Sequence, residues 1–447
     1  MAEIIVVGAG LVGSLLSIFI AKRGREVEVY DRMPDIRLAG GNSGRSINLT
    51  LCERGLKVLD SVGVGDVVRA AAVPVYGRLI HDVREELTFQ PYGNHREAIY
   101  SISRSDLNKI LLDYAASHYG IKFHFDEKCL GVDLDVPSIE TKNSRTGLVT
   151  NHKAERIFAS DGAFSAVRLQ MQKKLRLNFS QQYWEQAYRE LRVPPDAAGK
   201  WTAEKNVIHV WPRGNYMLIG FPNLDGSFTC SLHLALEGAL SFASLKTKDA
   251  LLDFFQDSFP DVVPHMPELV TDFFTHPANS MVTIKCSPWS YEGKVSLIGD
   301  AAHSIFPSYG QGANAGFEDC ATLAECMEQY GDDWTTLLKE FESRRRPNTN
   351  AIADLCVEHF VELRDLVGTP GFLLRKGIER KINQAYPDKY KDLYSMITFT
   401  CMPYTEALRV DREQRTVVDQ IMRVEGIERK LDSPEVEHVI DRLMAVR

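Results

Sequence analysis

A strand, a turn and a helix follow one another in Glu3-Ile4-Ile5-Val6-Val7-Gly8-Ala9-Gly10-Leu11-Val12-Gly13 and the residues after it. The apolar run up to Val7 predicts a strand, and the mostly apolar residues from Leu11 to Lys22 predict a helix. The G-x-G-x-x-G spacing lets the turn approach a pyrophosphate and lets the helix pack on the sheet. A second predicted strand, Val27 to Tyr30, ends at Asp31, which can accept a hydrogen bond from a ribose hydroxyl. The stretch therefore predicts a Rossmann-like dinucleotide-binding domain of the α/β class.

A second nucleotide-binding pattern begins with the apolar run Val295 to Ile298, which predicts a buried strand ending at Gly299-Asp300. A glycine-containing loop follows, and a helical pattern then runs from about Asn314 to Gln329. The start of such a helix directs unpaired N–H groups and the positive end of its dipole toward the loop, which suits an anionic ligand. Taken alone, the pattern also fits a strand–turn–helix connection with a solvated aspartate.

Composition limits the class of protein. The chain has 447 residues, too many for one ordinary core, and a formal net charge of -8, which argues against a nucleic-acid surface. The basic triplet Arg344-Arg345-Arg346 follows a helical pattern and is interpreted as a solvated helix end. The eight cysteines form no Cys-x-x-Cys pair and no zinc-like cluster, so we expect reduced thiols, a cytoplasmic protein and no metal site.

The apolar run Ile4 to Ala21 is about long enough to suggest a membrane span. Three glycines near its start, and the lack of a basic segment before it, argue against that interpretation. The segment Glu425 to Arg447 alternates charged and apolar residues, so we expect no membrane anchor there.

Hydrophobic patterning predicts three parts. Alternating apolar residues from about Asn206 to Leu234, with a turn at Asn223-Leu224-Asp225-Gly226, predict an antiparallel sheet inserted between nucleotide-binding segments. Residues after Pro347 are mostly of helical pattern. The predicted division is a discontinuous nucleotide-binding domain (1–73, 103–168 and 286–346), a substrate-domain sheet (74–102 and 169–285) and a helical C-terminal region (347–447).

Three motifs in order carry a family resemblance: the N-terminal fingerprint, the segment Ala159-Ser160-Asp161-Gly162 and the pair Gly299-Asp300. With them the chain resembles the single-component flavoprotein aromatic hydroxylases. Further segments are similar to the kynurenine 3-monooxygenase branch of that family; they are Gly44 to Leu49, Gln90 to Gly93, Asp106 to Leu112, Trp211-Pro212, Phe221 to Asn223, Gly310 to Gly312 and Tyr394 to Phe399.

The resemblance implies non-covalently bound FAD, NADPH as reductant, dioxygen as oxidant and L-kynurenine as substrate. It implies hydroxylation to 3-hydroxy-L-kynurenine through a flavin C4a-hydroperoxide. Because the flavin carries this chemistry, we expect no side chain to act as a catalytic nucleophile or general base. His303 is interpreted as a structural hydrogen-bonding residue.

The family's cofactor residues correspond to a set of positions in this chain. The resemblance places the pyrophosphate at Gly8, Gly10, Val12 and Gly13, the adenosine end at Asp31 and Arg32, a phosphate at Arg104 and the adenine near Leu130. It places the ribityl chain at Asp300 and the flavin's pyrimidine edge at Gly312, Ala313 and Asn314. Further predicted cofactor residues are Arg45, Thr50 and Asp161.

The substrate residues implied by the resemblance are Arg78, Tyr92, Tyr404 and His359. Arginine with two phenols suits an amino-acid carboxylate, because the guanidinium is a fork of charged donors. His359 stands where the family has asparagine, and we expect it to titrate near neutral pH and to donate to the substrate.

Other positions depart from the family pattern. Glutamate is usual at Asp31, glycine at Ala159, an aromatic residue at Ser308 and methionine at Ala313. The departures at Ser308, Ala313 and His359 bear on fine substrate preference more than on the reaction.

Two alternatives remain open at this point. The same FAD-binding frame would serve a hydroxylase of another aromatic acid, such as an anthranilate-like or salicylate-like ring. A flavin-bound interaction protein without turnover would be expected to have a damaged nucleotide site, whereas all three motifs are intact. Oligomeric state and the surface that docks NADPH cannot be read from the sequence.

Overall fold

A computed structural model describes residues 2–38, 47–93, 97–361 and 370–445. Its strands, in chain order, are β1 (Ala2–Val7), β2 (Val27–Tyr30), β3 (Asn48–Leu51), β4 (Val73–Val75), β5 (Gly77–His81), β6 (Leu87–Pro91), β7 (Ile99–Ser103), β8 (Lys122–His124), β9 (Glu127–Asp133), β10 (Ser138–Asn143), β11 (Val149–Ala159), β12 (Asn178–Val193), β13 (Ile208–Pro212), β14 (Met217–Pro222), β15 (Phe228–Ala235), β16 (Asn279–Ser287), β17 (Ser290–Tyr291) and β18 (Val295–Leu297).

The α-helices of the same residues are α1 (Leu11–Ala21), α2 (Glu53–Val62), α3 (Gly65–Ala70), α4 (Arg104–Tyr119), α5 (Ala166–Lys174), α6 (Lys248–Ser258), α7 (Leu269–Thr275), α8 (Gly312–Tyr330), α9 (Trp334–Val361), α10 (Pro370–Ala385), α11 (Leu393–Thr398), α12 (Tyr404–Met422), α13 (Ile427–Lys430) and α14 (Pro434–Ala445). Short 3-10 turns cover Val263–His265, Gly299–Ala301 and Pro307–Tyr309. Within the described ranges, no helix is both long and apolar enough to cross a bilayer.

The first sheet has the predicted Rossmann-like core. Its parallel strands lie in the order β18-β11-β1-β2-β8, with β17 and the β9–β10 hairpin added antiparallel. Val6 in the central strand pairs with Phe158 on one side and Val29 on the other. Ile4, Ile5 and Val6 are fully buried because elements cover both faces of a parallel sheet, which confirms the α/β fold class.

Two glycines of the fingerprint are required by close packing. Gly8 has φ of 105°, and a Cβ there would lie 2.6 Å from the carbonyl oxygen of Ser160. A Cβ on Gly13 would lie 1.8 Å from the carbonyl oxygen of Gly8. The turn can therefore pack against the residue that follows β11, and helix α1 can pack against the turn, only if both positions lack a side chain.

The second sheet has seven strands in the order β16-β12-β15-β14-β13-β5-β6 and is antiparallel except between β5 and β13. The predicted strands around residues 207–234 and the turn at 223–226 are present as β13, β14 and β15. The two long strands β12 and β16 were not predicted individually. Helices α6 and α7 cover one face with the buried rings of Phe255, Phe259 and Phe273.

The C-terminal region is helical, as predicted, but its first helix differs from the expected pattern. The sequence predicts separate helices on either side of Arg344–Arg346, whereas α9 continues through Pro347. Arg345 is 6% exposed, and its guanidinium bonds Asp319 at 2.7 Å and the carbonyl of Ala315 at 3.0 Å, both in α8. The interpretation of the triplet as a solvated helix end is wrong, because Arg345 has a buried carboxylate partner that a single sequence does not reveal.

Candidate functional site

A cavity of about 700 Å³ lies at the end of the first sheet where the fingerprint turn is. Six predicted cofactor residues line it: Gly8, Gly10, Asp31, Arg32, Arg104 and Asp161. The second sheet contributes Tyr188 and Glu190 from β12 and Asn279 from β16. Sequence reasoning missed these three. Tyr188 and Glu190 are two residues apart in a strand, so their side chains lie on the same face.

The start of α1 fits a phosphate group. The N-cap residue of this helix is Gly10, which has no side chain to cap the first N–H groups. A Cβ built on Gly10 meets nothing within 4 Å, so that position opens into the cavity. The unpaired N–H groups and the dipole of α1 thus meet open space large enough for the pyrophosphate of FAD.

Two carboxylates are fixed at the ends of strands beside this turn. Asp31 accepts hydrogen bonds from the backbone N–H of Ala9 at 2.6 Å and of Met33 at 2.7 Å. The Oδ2 atom of Asp161 accepts from the N–H of Ala166 at 2.8 Å, while its buried Oδ1 has no hydrogen-bond partner within the described part of the chain. Burial raises the pKa of Asp161. Its unpaired oxygen is available to accept a hydrogen bond from a ligand in the cavity.

Arg104 connects the cavity with the second predicted nucleotide segment. It is the first residue of α4 and lines the cavity. Burial raises the pKa of Asp300, and the positive charge of Arg104 acts in the opposite direction. The two predicted cofactor residues therefore interact electrostatically, although Asp300 itself is outside the cavity lining.

Eight other predicted cofactor residues that the structure describes are outside the cavity lining; they are Val12, Gly13, Thr50, Leu130, Asp300, Gly312, Ala313 and Asn314. Val12 packs against Gly299 and Gly316, where an added Cβ would approach its methyl groups to 3.1 and 2.6 Å. Leu130 is 40% exposed, and its neighbour Cys129 lines the cavity instead. Arg45 lies outside the described residues. The cofactor roles of these positions, like those of the six that line the cavity, stay predictions.

The start of α8 is held by Asn314, which is fully buried. Its Nδ2 donates to the carbonyls of Thr50 and Gly310, both at 2.9 Å, and its Oδ1 accepts from the N–H of Cys52 at 3.2 Å. These bonds fix the loop at Gly310 against β3. His303 is 2% exposed and bonds Asp319 at 2.5 Å, which agrees with the structural role predicted for it.

A second group of predicted residues meets around Arg78 in the second sheet. The Nε of Arg78 donates to the hydroxyl of Tyr92 at 3.3 Å, and its guanidinium carbon lies 5.0 Å from the ring centre of Tyr394. Stacked rings continue from there, with centroid distances of 5.3 Å for Tyr92–Tyr394, 6.0 Å for Tyr394–Tyr309 and 4.2 Å for Tyr309–His359. We call Tyr92, Tyr394, Tyr309 and His359 the aromatic row.

Tyr404 belongs to a different cluster. Its hydroxyl donates to Oε1 of Gln311 at 2.9 Å, and its ring centre lies 3.9 Å from the guanidinium carbon of Arg54. The phenol that joins Tyr92 beside Arg78 is Tyr394, which sequence reasoning did not assign. The sequence did contain a signal for Tyr394, because this residue begins one of the segments that carried the family resemblance.

His359 does not have the expected protonation behaviour. Burial, together with the positive charges of Arg78 and Lys376, lowers the pKa of His359 to about 3. Its buried Nε2 has no hydrogen-bond partner among residues 2–38, 47–93, 97–361 and 370–445. The expectation that His359 titrates near neutral pH is therefore wrong, because neither its burial nor its two cationic neighbours can be read from its place in the sequence.

The lowered pKa of His359 predicts an effect of pH on stability. Its folded-state pKa is below the unfolded value, so the unfolded state takes up the proton first and the wild type loses stability as pH falls below about 6.5. His359→Asn should remove this loss, which can reach about 2 kcal/mol at pH 5. Thermal unfolding of both proteins at pH 7.5 and pH 5 measures it. A wild type and variant that change in parallel would contradict the assigned burial of His359.

Comparison with known proteins shows the family of this chain. The family model described as FAD binding domain matches residues 1–217 and 265–355. The chain is 46% identical over 442 residues to the kynurenine 3-monooxygenase of Flavobacterium johnsoniae, covering 99% of this chain and 98% of that protein. It is 40% identical over 428 residues to the kynurenine 3-monooxygenase of Myxococcus xanthus, covering 96% and 92%.

Solved structures show the same fold at low identity. The tetrameric form of 2-methyl-3-hydroxypyridine-5-carboxylic acid oxygenase aligns with a TM-score of 0.67 at 21% identity, over 83% of this chain and 94% of that chain. A tetracycline destructase aligns with a TM-score of 0.61 at 14% identity, over 94% and 98%. With the near full-length relatives, these findings lead to one conclusion: the chain belongs to the kynurenine 3-monooxygenase family and is an FAD-dependent monooxygenase.

Proposed function

We propose that the protein uses NADPH and dioxygen to hydroxylate L-kynurenine to 3-hydroxy-L-kynurenine. The observation that carries this proposal is the half-buried arginine Arg78 between Tyr92 and Tyr394. A charged fork of donors beside stacked rings suits a ligand that has both a carboxylate and an aromatic ring. Relatives named kynurenine 3-monooxygenase over almost the whole length support the same substrate.

The residues of the cavity would hold FAD along the path already described. Gly10 and the start of α1 would receive the pyrophosphate, Asp31 a ribose hydroxyl and Arg104 a phosphate. When bound and reduced by NADPH, FAD supplies the activation of dioxygen. The start of α8 directs unpaired N–H groups toward the flavin end, where they can stabilise negative charge.

The protein's own contribution to hydroxylation is orientation and the exclusion of water. Arg78 would bind the carboxylate of the substrate, and the aromatic row would restrict the orientation of its ring. Tyr92 is 6% exposed and Tyr309 is 9% exposed, so the row presents a largely dry wall. A dry, oriented site favours transfer of oxygen to the ring over release of peroxide to water.

The test is a comparison of NADPH oxidation with and without L-kynurenine, with the products identified by mass spectrometry. We expect kynurenine to accelerate NADPH oxidation and to be converted to a product heavier by one oxygen atom. Labelled dioxygen should supply that atom. NADPH oxidation that kynurenine neither accelerates nor couples to a hydroxylated product would contradict the proposal.

A hydroxylase of another aromatic acid is the competing function. Anthranilate and salicylate carry their carboxylate directly on the ring, whereas kynurenine separates the two groups by a side chain. Each is tested in the same assay. Faster turnover of either acid than of kynurenine would favour the competing function.

A further inference from the structure

Arg54 is the second residue of α2 and one of the largest fully buried side chains, at 1% exposure. Its Nε donates to the carbonyl of Ile397 at 3.1 Å, and one terminal nitrogen donates to the carbonyl of Met402 at 3.0 Å. The other terminal nitrogen pairs with Glu318 in α8 at 2.7 Å. The ring of Tyr404 lies against the guanidinium. The side chain of Arg54 thus bonds both to the chain at Ile397 and Met402 and to helix α8.

The two carbonyls belong to the segment that carries Tyr394 and Tyr404. Ile397 is in α11, and Met402 precedes α12, so Arg54 holds the chain on both sides of the end of α11. Tyr394, one turn earlier in α11, stacks on Tyr92 and lies beside Arg78. Tyr404, at the start of α12, donates to Gln311 in the loop that leads into α8. The segment therefore touches both the aromatic row and the loop Gly310–Gln311 before α8, which we call the flavin-end loop because the proposed function places the flavin there.

A neutral side chain could not make this set of contacts. The planar guanidinium offers several fixed donors and stays charged when buried, so it can bond two carbonyls and a carboxylate together. Glu318 also pairs with Arg345, which in turn bonds Asp319, so the buried charges balance. Helix α8 is tied by these pairs to Arg54 on one side and to α9 on the other.

We propose that Arg54 is a positioning residue that fixes the segment 393–404 relative to α2 and α8, and thereby fixes the aromatic row relative to the flavin-end loop. Arg54 touches none of the reacting groups itself. It acts through Tyr394 toward Arg78 and through Tyr404 toward Gln311. Loss of its two carbonyl contacts lets the substrate side shift while FAD stays bound.

We expect loss of these contacts to change how much of the oxygen is transferred to the substrate and how much is released as hydrogen peroxide. In the coupled reaction NADPH, a proton, dioxygen and substrate give NADP⁺, water and hydroxylated product. When the ring is misplaced, NADPH, a proton and dioxygen give NADP⁺ and hydrogen peroxide instead. A misplacement of about 1 Å can slow a reaction by about 100-fold, so a shift of about half that size should lower the product-to-peroxide ratio by about tenfold.

The first test needs no substrate. Arg54→Lys keeps the charge but cannot bond both carbonyls and Glu318 in the same geometry. Hydrogen exchange of the FAD-loaded protein should show faster exchange in the peptide covering residues 393–404, by about tenfold or more as local opening becomes easier. The matched control is Arg345→Lys, another buried arginine paired with Glu318, whose side-chain bonds join α9 to α8. Equal exchange of this peptide in the two variants would overturn the proposal.

The second test measures product against peroxide with kynurenine and rests on the proposed function. Arg54→Lys should lower the ratio with FAD content unchanged, whereas Arg345→Lys should destabilise the protein without lowering the ratio. Glu318→Gln, which leaves the two carbonyl contacts in place, should keep a ratio near that of the wild type. A wild-type ratio in Arg54→Lys would overturn the positioning role. A wild type that forms no product contradicts the proposed function instead, and the exchange comparison then decides the role of Arg54.

Discussion

Gly10→Val is expected to give a folded protein that no longer retains FAD. The backbone of Gly10 has φ of -72° and ψ of -174°, an extended conformation that valine adopts without strain. A Cβ at this position meets no protein atom within 4 Å, so the fold tolerates the side chain. The branched side chain would instead occupy the space in front of the start of α1, where we propose that the pyrophosphate binds.

We expect the affinity for FAD to fall by about 100-fold or more, because a side chain and a phosphate cannot share the same volume. Flavin absorbance of the purified protein, and titration of the apoprotein with FAD, measure the loss. Circular dichroism and the unfolding temperature of the apoprotein should match those of wild-type apoprotein. A variant that keeps its full complement of flavin would show that the fingerprint turn does not bind the pyrophosphate.

Gly13→Ala is the contrasting variant on the same turn. Its added methyl group would lie 1.8 Å from the carbonyl oxygen of Gly8, a contact that real structures do not show. This variant should lose folded protein as well as flavin. The pair of variants separates the glycine that faces the ligand from the glycine that lets the helix meet the strand.

Arg78→Met is expected to have the largest effect on substrate binding. Truncating one partner of a buried charge pair costs about 2–5 kcal/mol, so the apparent KM for kynurenine should rise by roughly 30-fold to several thousand-fold. FAD content should not change, because Arg78 lies in the second sheet and outside the cavity lining. Steady-state kinetics and the flavin absorbance of the same samples measure both quantities.

Arg192→Met is the matched control for Arg78. Arg192 lies in the same sheet but pairs at the surface with Asp225 and has no contact with the aromatic row within the described residues. We expect its KM to stay within about twofold of the wild-type value, since exposed ion pairs contribute little. A shift of that small size in Arg78→Met would show that Arg78 is not the carboxylate anchor.

Local sequence was sufficient for the nucleotide-binding frame. The glycine spacing, the apolar run before it and the acid at Asp31 all act within one strand–turn–helix unit, so their meaning does not depend on distant residues. The same holds for the hairpin at 223–226, where turn chemistry and alternation agree. The resemblance added Arg78 and Tyr92, which the structure places in direct contact.

Tertiary structure alone decided which distant side chains meet. Tyr394 joins Arg78 and Tyr92 although it is far away in the chain, and Tyr404 instead reaches Gln311. The protonation state of His359 and the burial of Arg345 depend on charges carried by other elements. Desolvation and Coulomb interactions act through space, so a residue's type and sequence position do not determine them until the fold brings its neighbours together.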